Sequence, residues 1–599
     1  MPNRLLLYYR QILKINNKIA PAHYNLALLL KNQGKLQAAE KSLKAALKCN
    51  PDYGLAWRAL ARLSGDRGHH REAVREIIRA AELADYSGAS LQDVAHQLEL
   101  AADADLGAAG DEAMRRCLSR DDVLCDGLIV AVLARLRRNV AFKRVLKPGV
   151  TEEKVAAELE DPSRRQTLLI ALQDPFVAAA FAGLILPVRE VGMLIDVCRT
   201  ALAGRDTGME PEAVALLALQ LELTEYALEI PAVIPVVTEQ SGLEECLYAA
   251  LFSPLPPEVA DALLTRFPVE LFACPWAREL LVRSGPQKLR EKALAAGLPK
   301  LSLSKSDNAV SLAVRAQYEE SPYPRWRGLR SGNETTLPKL VKSLFPHLTL
   351  AVTQSPPRVL VAGAGTGRHA LRTAVRINGA VVTAIDLSRA SLGYAARQAE
   401  VRNITNITFA TADILDLPES LGVFDLIECC GVLHHMADPE AGWKALLPHL
   451  ARKGLMKIAL YSEAARQDVV TVRDRIGAGV TDLTLDDIRH LRRQLLELPR
   501  EDPAATVTEE LDFFSLSGCR DLLFHQQEQH FDISRVGRAL VSLNLEFLGF
   551  EFLNNQTMRN YHARYPADRE GRNLANWAAV EAESPELFRG MYQFWCRAR

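Results

Sequence analysis

Apolar residues in the first 300 positions recur at helical spacing. Leu124, Leu128, Val132 and Leu136 form one stripe, and Leu194, Val197, Cys198 and Ala201 form a weaker second. Leu216 to Tyr226 is apolar nearly all round, and Pro175 to Val188 is the longest apolar run. Both predict buried helices, the second being too short to span a bilayer. After residue 357 the pattern changes. Arg358 to Ala362, Ala380 to Ile385, Ile407 to Ala412, Phe424 to Cys430 and Leu455 to Tyr461 are short apolar runs that predict five strands. Between the first two, Ala370, Leu371, Ala374 and Val375 share a helical face that stops at Asn378-Gly379. The pattern predicts an all-α N-terminal half followed by a doubly wound α/β domain.

The turn after the first predicted strand carries the strongest chemical signal. Gly363, Gly365 and Gly367, with Ala364 between the first two, let the backbone bend sharply, and the glycines let it approach a ligand without a Cβ in the way. The helix that follows aims its free N–H groups and the positive end of its dipole at whatever lies over the turn. Asp386, followed by Leu387, closes the second strand about 20 residues on, where a carboxylate in a βαβ unit meets ribose hydroxyls. The third glycine of the dinucleotide pattern would fall on Arg368, so the motif is GxGxG. The order GAGTG…AIDLS…ATADILDLP…FDLIECCGVLHHMADP resembles the class I S-adenosylmethionine (SAM)-dependent methyltransferases, with a Rossmann-like domain. The resemblance implies that Gly363, Gly365 and Gly367 cradle the methionine moiety and that Asp386 holds the ribose. It places Asp413 at the adenine amino group, with Ile414 packed on the ring. The acid that the family often carries near the end of the first strand is replaced by Val361-Ala362.

In the first hundred residues, His23, Leu26, Ala27, Gly34, Ala39 and Ala46 recur 34 positions later as Trp57, Leu60, Ala61, Gly68, Ala73 and Ala80. Period and small residues resemble the tetratricopeptide (TPR) repeat, in which small side chains let two helices pack closely. Such a pair is either a short groove for a protein or peptide partner or a packing module. Basic residues Arg135, Arg137, Arg138, Lys143, Arg144 and Lys147 read as a solvated helix face.

Tyr318, Tyr323 and Trp326 lie in QYEESPYPRW, whose prolines predict a loop that is a lid or a strap before the cofactor domain. This segment and the motifs above resemble a group of bacterial TPR-containing methyltransferases. The methyltransferase fold ends in an antiparallel pair, for which 545–552 and 591–597 are the expected sixth and seventh strands, separated from the fifth and from each other by helical insertions. His434 and His435 follow the fourth strand, where the acceptor side of the pocket begins, and are candidate catalytic groups able to titrate near neutrality. The alternative is that one bonds to backbone and the other is exposed. His525, Glu528 and His530 have ligand-like spacing, but a helical surface explains it and methyl transfer needs no metal, so no metal is expected.

With 599 residues the chain needs several cores. The expected order is TPR-like repeats at 1–105, a helical middle domain at 106–305, an aromatic and proline-rich linker at 306–355, and the methyltransferase domain at 356–599. A net charge of −1 gives no footprint for nucleic acid. The ten cysteines have no CxxC or zinc-like spacing, and the opening MPNRLLLYYRQIL lacks a cleavable leader pattern. A cytoplasmic, membrane-free SAM-dependent methyltransferase is expected, with a protein or peptide acceptor, or else a small metabolite. A TPR scaffold that binds SAM without turnover is the rival.

Overall fold

The computed structural model describes residues 2–203, 210–230, 234–301, 308–330, 334–348, 356–477, 483–552 and 555–599. The domain boundaries expected at 305 and 355 lie outside these residues. Contacts group the chain into two units, Met1–Gln220 with Arg327–Gly332, and Leu221–Trp326 with Asn333–Arg599.

The first unit is helical. After Pro2–Ile15 come two antiparallel hairpins, Ala20–Asn32 with Leu36–Cys49 and Gly54–Asp66 with His70–Glu82, followed by Gly88–Leu100. The 34-residue period is the offset between hairpins, whose first helices begin at 20 and 54 and whose second begin at 36 and 70. Ala39, Ala46, Ala56, Ala61 and Ala73 are fully buried, which lets the helix axes approach. Gly34 and Gly68 make the turns at positive φ. The basic run is largely engaged. Arg135 forks onto Asp111 at 2.6 Å through two nitrogens, and Arg137 and Arg138 donate to backbone carbonyls.

The second unit is built on a seven-stranded sheet in the order β3-β2-β1-β4-β5-β7-β6. Its strands are β1 (Arg358–Ala362), β2 (Val381–Asp386), β3 (Ile407–Thr411), β4 (Phe424–Cys430), β5 (Leu450–Leu460), β6 (Leu545–Phe550) and β7 (Tyr592–Ala598). The first five are parallel, and β7 runs antiparallel to both β5 and β6. The expected closing pair is present, and β7 lies between its partners. β5 starts five residues earlier than its apolar run, because Leu450 pairs with Phe424 ahead of an irregularity at 451–454, where Lys453 has a positive φ. One core layer gathers Leu360, Ile427, Trp443, Met456, Phe550, Trp577 and Phe594.

Two local expectations are corrected. The loop expected over QYEESPYPRW begins only at Ser321, since the helix Ala309–Glu320 carries Tyr318 in its last turn; prolines at 322 and 324 stop a helix without preventing its approach. The segment expected to be a helical surface at 525–530 is not helical. The helix Leu516–Leu523 ends before it, and the chain runs on to a bridge between Phe531 and Ser462.

Candidate functional site

Strand order reverses between β1 and β4, so the chain segments leaving these strands part and open a crevice beyond their carboxyl ends. The glycine turn sits there. Gly363, Gly365 and Gly367 have φ of +75°, +52° and +83°. The amides of Gly363 and Ala364 both donate to the carbonyl of Ile385 at 2.9 Å, tying the turn to β2. Asp386 completes the cradle: one carboxylate oxygen accepts from Gly365 N at 2.7 Å and the other from Ser388 N at 2.9 Å. Each oxygen keeps a second lone pair for a hydroxyl. Burial pushes the Asp386 carboxyl above its ordinary value, against the pull of these backbone amides. Leu387 follows on the same turn, half-buried. Two residues past β3, Asp413 is buried and accepts from Leu415 N at 2.9 Å, and Ile414 beside it is buried.

The aromatic segment wraps this cradle. The indole N–H of Trp326 donates to Thr366 O at 3.1 Å, the Thr366 hydroxyl donates to Pro324 O, and the Tyr394 hydroxyl donates to Trp326 O. Trp326 is only 4% exposed, so it fastens the segment as a strap. Upstream, Glu319 receives Arg389 N at 2.8 Å and Ala390 N at 3.1 Å, satisfying the first free amides of the helix Arg389–Val401. Ser388 Oγ donates to the backbone carbonyl of Tyr318 at 3.0 Å, which ties the end of the helix Ala309–Glu320 to the turn that carries Asp386.

Both histidines after β4 are buried, which corrects the expectation of an exposed partner and of titration near neutrality. The amide of Tyr461 donates to His434 Nδ1 at 3.2 Å, so Nε2 carries the proton, and among the described residues it finds no hydrogen-bond partner. His434 stacks on the Tyr461 ring at 3.9 Å. His435 donates from Nδ1 to Gln527 O at 2.8 Å. Burial drives the pKa of His434 well below 6.5 and that of His435 to about 4, so both stay neutral.

The segment 525–530 lies against them. His435 stacks on His525 at 3.6 Å. Gln527 N donates to Nδ1 of His525, which leaves Nε2 protonated and facing the Tyr318 hydroxyl at 3.1 Å; that hydroxyl donates to Asp521 at 2.6 Å. His435, Asp521 and His525 bring one donor atom each within 4.8 Å of one another. A protonated Nε2 has no lone pair for an ion; Asp521 and His525 are instead joined through the Tyr318 hydroxyl, and His435 stacks on His525. Glu528, the middle residue of the ligand-like trio read from sequence, is engaged by the Arg466 guanidinium at 2.9 Å to each oxygen and by His530 at 2.6 Å. The sequence reading missed Asp512, Asp521, Tyr461 and Glu319. Glu319 stands inside QYEESPYPRW, where the aromatics drew the reading; the other three lie in no motif, and the insertion after β5 brings Asp512 and Asp521 to the crevice.

Residues 359–454 match the family model described as a methyltransferase domain. The chain is 31% identical over 204 residues to an uncharacterized protein of Synechococcus sp., covering 32% of this chain and 48% of that one. It is 34% identical over 109 residues to the demethylmenaquinone methyltransferase of Thermus thermophilus, covering 18% and 49%. Among solved structures it is similar to PKMT2 from Rickettsia typhi, at 15% identity and a TM-score of 0.35, covering 46% of this chain and 54% of that one. The chain spans about half the length of the curated relatives it matches. It carries a class I SAM-dependent methyltransferase domain.

Proposed function

From this domain we propose that the chain is a SAM-dependent methyltransferase acting on a protein or peptide. The observation that supports the reading is the coupling of the glycine turn to Asp386, which presets a backbone cradle and a ribose-facing carboxylate before any ligand arrives. Bound SAM would supply an electrophilic methyl on a sulfonium. The chain has to hold that methyl in line with a nucleophile and exclude water. Gly363, Ala364, Gly365 and Gly367 would hold the amino-acid end, Asp386 and Leu387 the ribose side, and Asp413 with Ile414 the adenine. The strap through Trp326 would close over them. His434 and His435, being neutral, would orient the acceptor by donating or accepting hydrogen bonds and would not act through a change of charge.

The paired helical hairpins favour a protein or peptide partner, since a 34-residue repeat of this kind resembles TPR units and offers a short groove. A small acceptor is the second reading, and the name of the Thermus thermophilus relative supports it. Among the described residues no helix is long and apolar enough to cross a membrane, and all ten cysteines are free thiols, which fit the expected cytoplasmic setting. The test is turnover. Purified protein with methyl-labelled SAM and cell extract should release S-adenosylhomocysteine and place label in macromolecules. Label confined to small molecules would transfer the assignment to the second reading, and SAM binding without any turnover would leave a scaffold.

A further inference from the structure

We propose that the acceptor group is an amine, received as an ammonium by Asp521 and Asp512 among the phenols of Tyr318, Tyr323 and Tyr461, with Asp521 taking its proton. This rests on the methyltransferase reading of the same crevice and names the acceptor's chemistry.

The geometry is a set of acceptors and ring faces gathered from four parts of the chain. Tyr318 comes from the end of the helix before the strap, and Tyr323 from the strap itself. Tyr461 follows β5, and Asp512 and Asp521 come from the insertion. The Tyr318 hydroxyl donates to Asp521 at 2.6 Å, and the Tyr323 hydroxyl to Asp512. Each of the three phenols lies within electrostatic reach of Asp521. Tyr318, Tyr323, Tyr461, Asp512 and Asp386 all keep part of their surface accessible although protein surrounds them on most sides. Asp521 lies behind them, 4% exposed. The groups facing Asp521 are Tyr318, Asp512, His435, His525, Glu528 and Arg466. Arg466, the cation among them, is committed to both oxygens of Glu528 and lies over the Tyr461 ring at 3.9 Å. Both histidines in this group are held neutral by burial.

A carboxylate, phosphate or phenolate acceptor would enter against two carboxylates, and among the described residues the cations within reach of them, Arg466 and Arg368, already have partners. An ammonium is attracted by those carboxylates and by the negative faces of the tyrosine rings. The His434 N–H, without a hydrogen-bond partner among the described residues and stacked over Tyr461, would donate to a carbonyl oxygen carried by the same acceptor.

An ammonium has no lone pair to attack with. Its proton passes to an oxygen of Asp521. The freed nitrogen lone pair then forms the N–C bond as the C–S bond breaks, and that electron pair stays on sulfur. Burial and the neighbouring Asp512 raise Asp521 to about 7, which suits a base that takes a proton near neutrality and gives it back to water.

The test uses the full chain loaded with S-adenosylhomocysteine, titrated calorimetrically at pH 8 with n-butylammonium chloride, sodium butyrate and n-butanol. The expected result is saturable binding of n-butylammonium alone, weakened about tenfold or more by Asp521→Asn, in the range of a lost hydrogen bond to a charged group. Tyr318→Phe should weaken it less. Binding of butyrate or butanol equal to that of the ammonium, or an ammonium affinity unchanged in Asp521→Asn, would overturn the proposal. So would a comparable loss of S-adenosylhomocysteine affinity in Asp521→Asn, since the carboxylate would then serve the cofactor's own ammonium. Failure of the unaltered protein to bind S-adenosylhomocysteine at all would instead overturn the methyltransferase reading beneath it.

Discussion

Gly363 meets two demands at once. Its φ of +75° suits a residue without a side chain, and a Cβ built there would lie 2.2 Å from Val432 Cγ2. Gly363→Ala should therefore cost about 1–3 kcal/mol of stability through backbone strain and overpacking, and distort the turn at the same time. Thermal unfolding with and without SAM checks this, and an alanine variant with unchanged Tm and SAM affinity would show that the turn tolerates a methyl group. Asp386 holds the turn, since Gly365 N and Ser388 N each donate to it, and in the proposed reading the same carboxylate receives the ribose. Asp386→Ala should weaken SAM binding by about 1.5–3 kcal/mol, the scale of hydrogen bonds to a charged group. Calorimetry returning the original affinity would remove Asp386 from the site. The histidines teach the opposite lesson. Adjacent imidazoles after a strand end invite an acid–base role, yet their ring nitrogens bond to Tyr461 N and Gln527 O in a place too buried for charge.

Between elements, one ion pair links the helix Arg368–Arg376 to the middle of the sheet. His369 Nε2 lies 3.2 Å from Glu428 on β4, and the same carboxylate accepts from Thr373 Oγ1 at 2.6 Å. Glu428 raises His369 to about 10 against the desolvation that opposes it, while His369 and Lys457 help bring Glu428 down to about 2. The His369 contribution is fully present below its unfolded value of about 6.5 and is lost as pH rises through about 10. The Glu428 contribution is present above about 4.5 and is lost as pH falls through about 2. The pair should thus stabilise most between about pH 4.5 and 6.5. We expect Tm to fall from pH 6.5 to 10 more steeply in the unaltered protein than in His369→Gln; parallel curves would show that the pair contributes nothing. None of this was legible in the sequence, because His369 and Glu428 meet only once β4 lies beneath the helix. What was legible is local. The glycine turn, the strand runs and the closing pair depend on neighbours a few residues away, so their signals survive in one dimension. Asp512 and Asp521 reach the crevice through long-range folding of the insertion after β5 and leave no spacing to read, while Tyr461 closes a strand run whose pattern says nothing of what its ring faces. The 525–530 segment misled for a related reason: residues three apart imitate a helical face, but here His525 is drawn inward by Tyr318 and Gln527.

At the level of the whole molecule, both ends of the chain make testable claims. β7 pairs with β5 along 455–460 and with β6 along 545–550, so ending the chain before Gly590 unpairs two ladders in the interior of the sheet. That truncation should be insoluble, and soluble, SAM-binding protein from it would contradict the strand order. At the other end, the proposed recruitment of a protein acceptor can be separated from chemistry by removing the helical hairpins. A cut at 105 would be a poor test, because Gln92 on the helix Gly88–Leu100 makes two hydrogen bonds with the backbone of Leu124, at 3.2 and 2.8 Å, and Cys117 Sγ reaches Leu91 O. A deletion of residues 1–86 keeps these bonds and removes both hairpins. Circular dichroism must first show that the shortened chain is folded, since the hairpins leave an apolar helix face behind. If the hairpins supply binding energy to the acceptor, its KM should rise about tenfold, the equivalent of about 1.4 kcal/mol. SAM affinity should stay the same, because binding lost equally from ground and transition states leaves kcat in place. A folded deletion variant with unchanged KM would make the hairpins structural, and the small-acceptor reading would then lead.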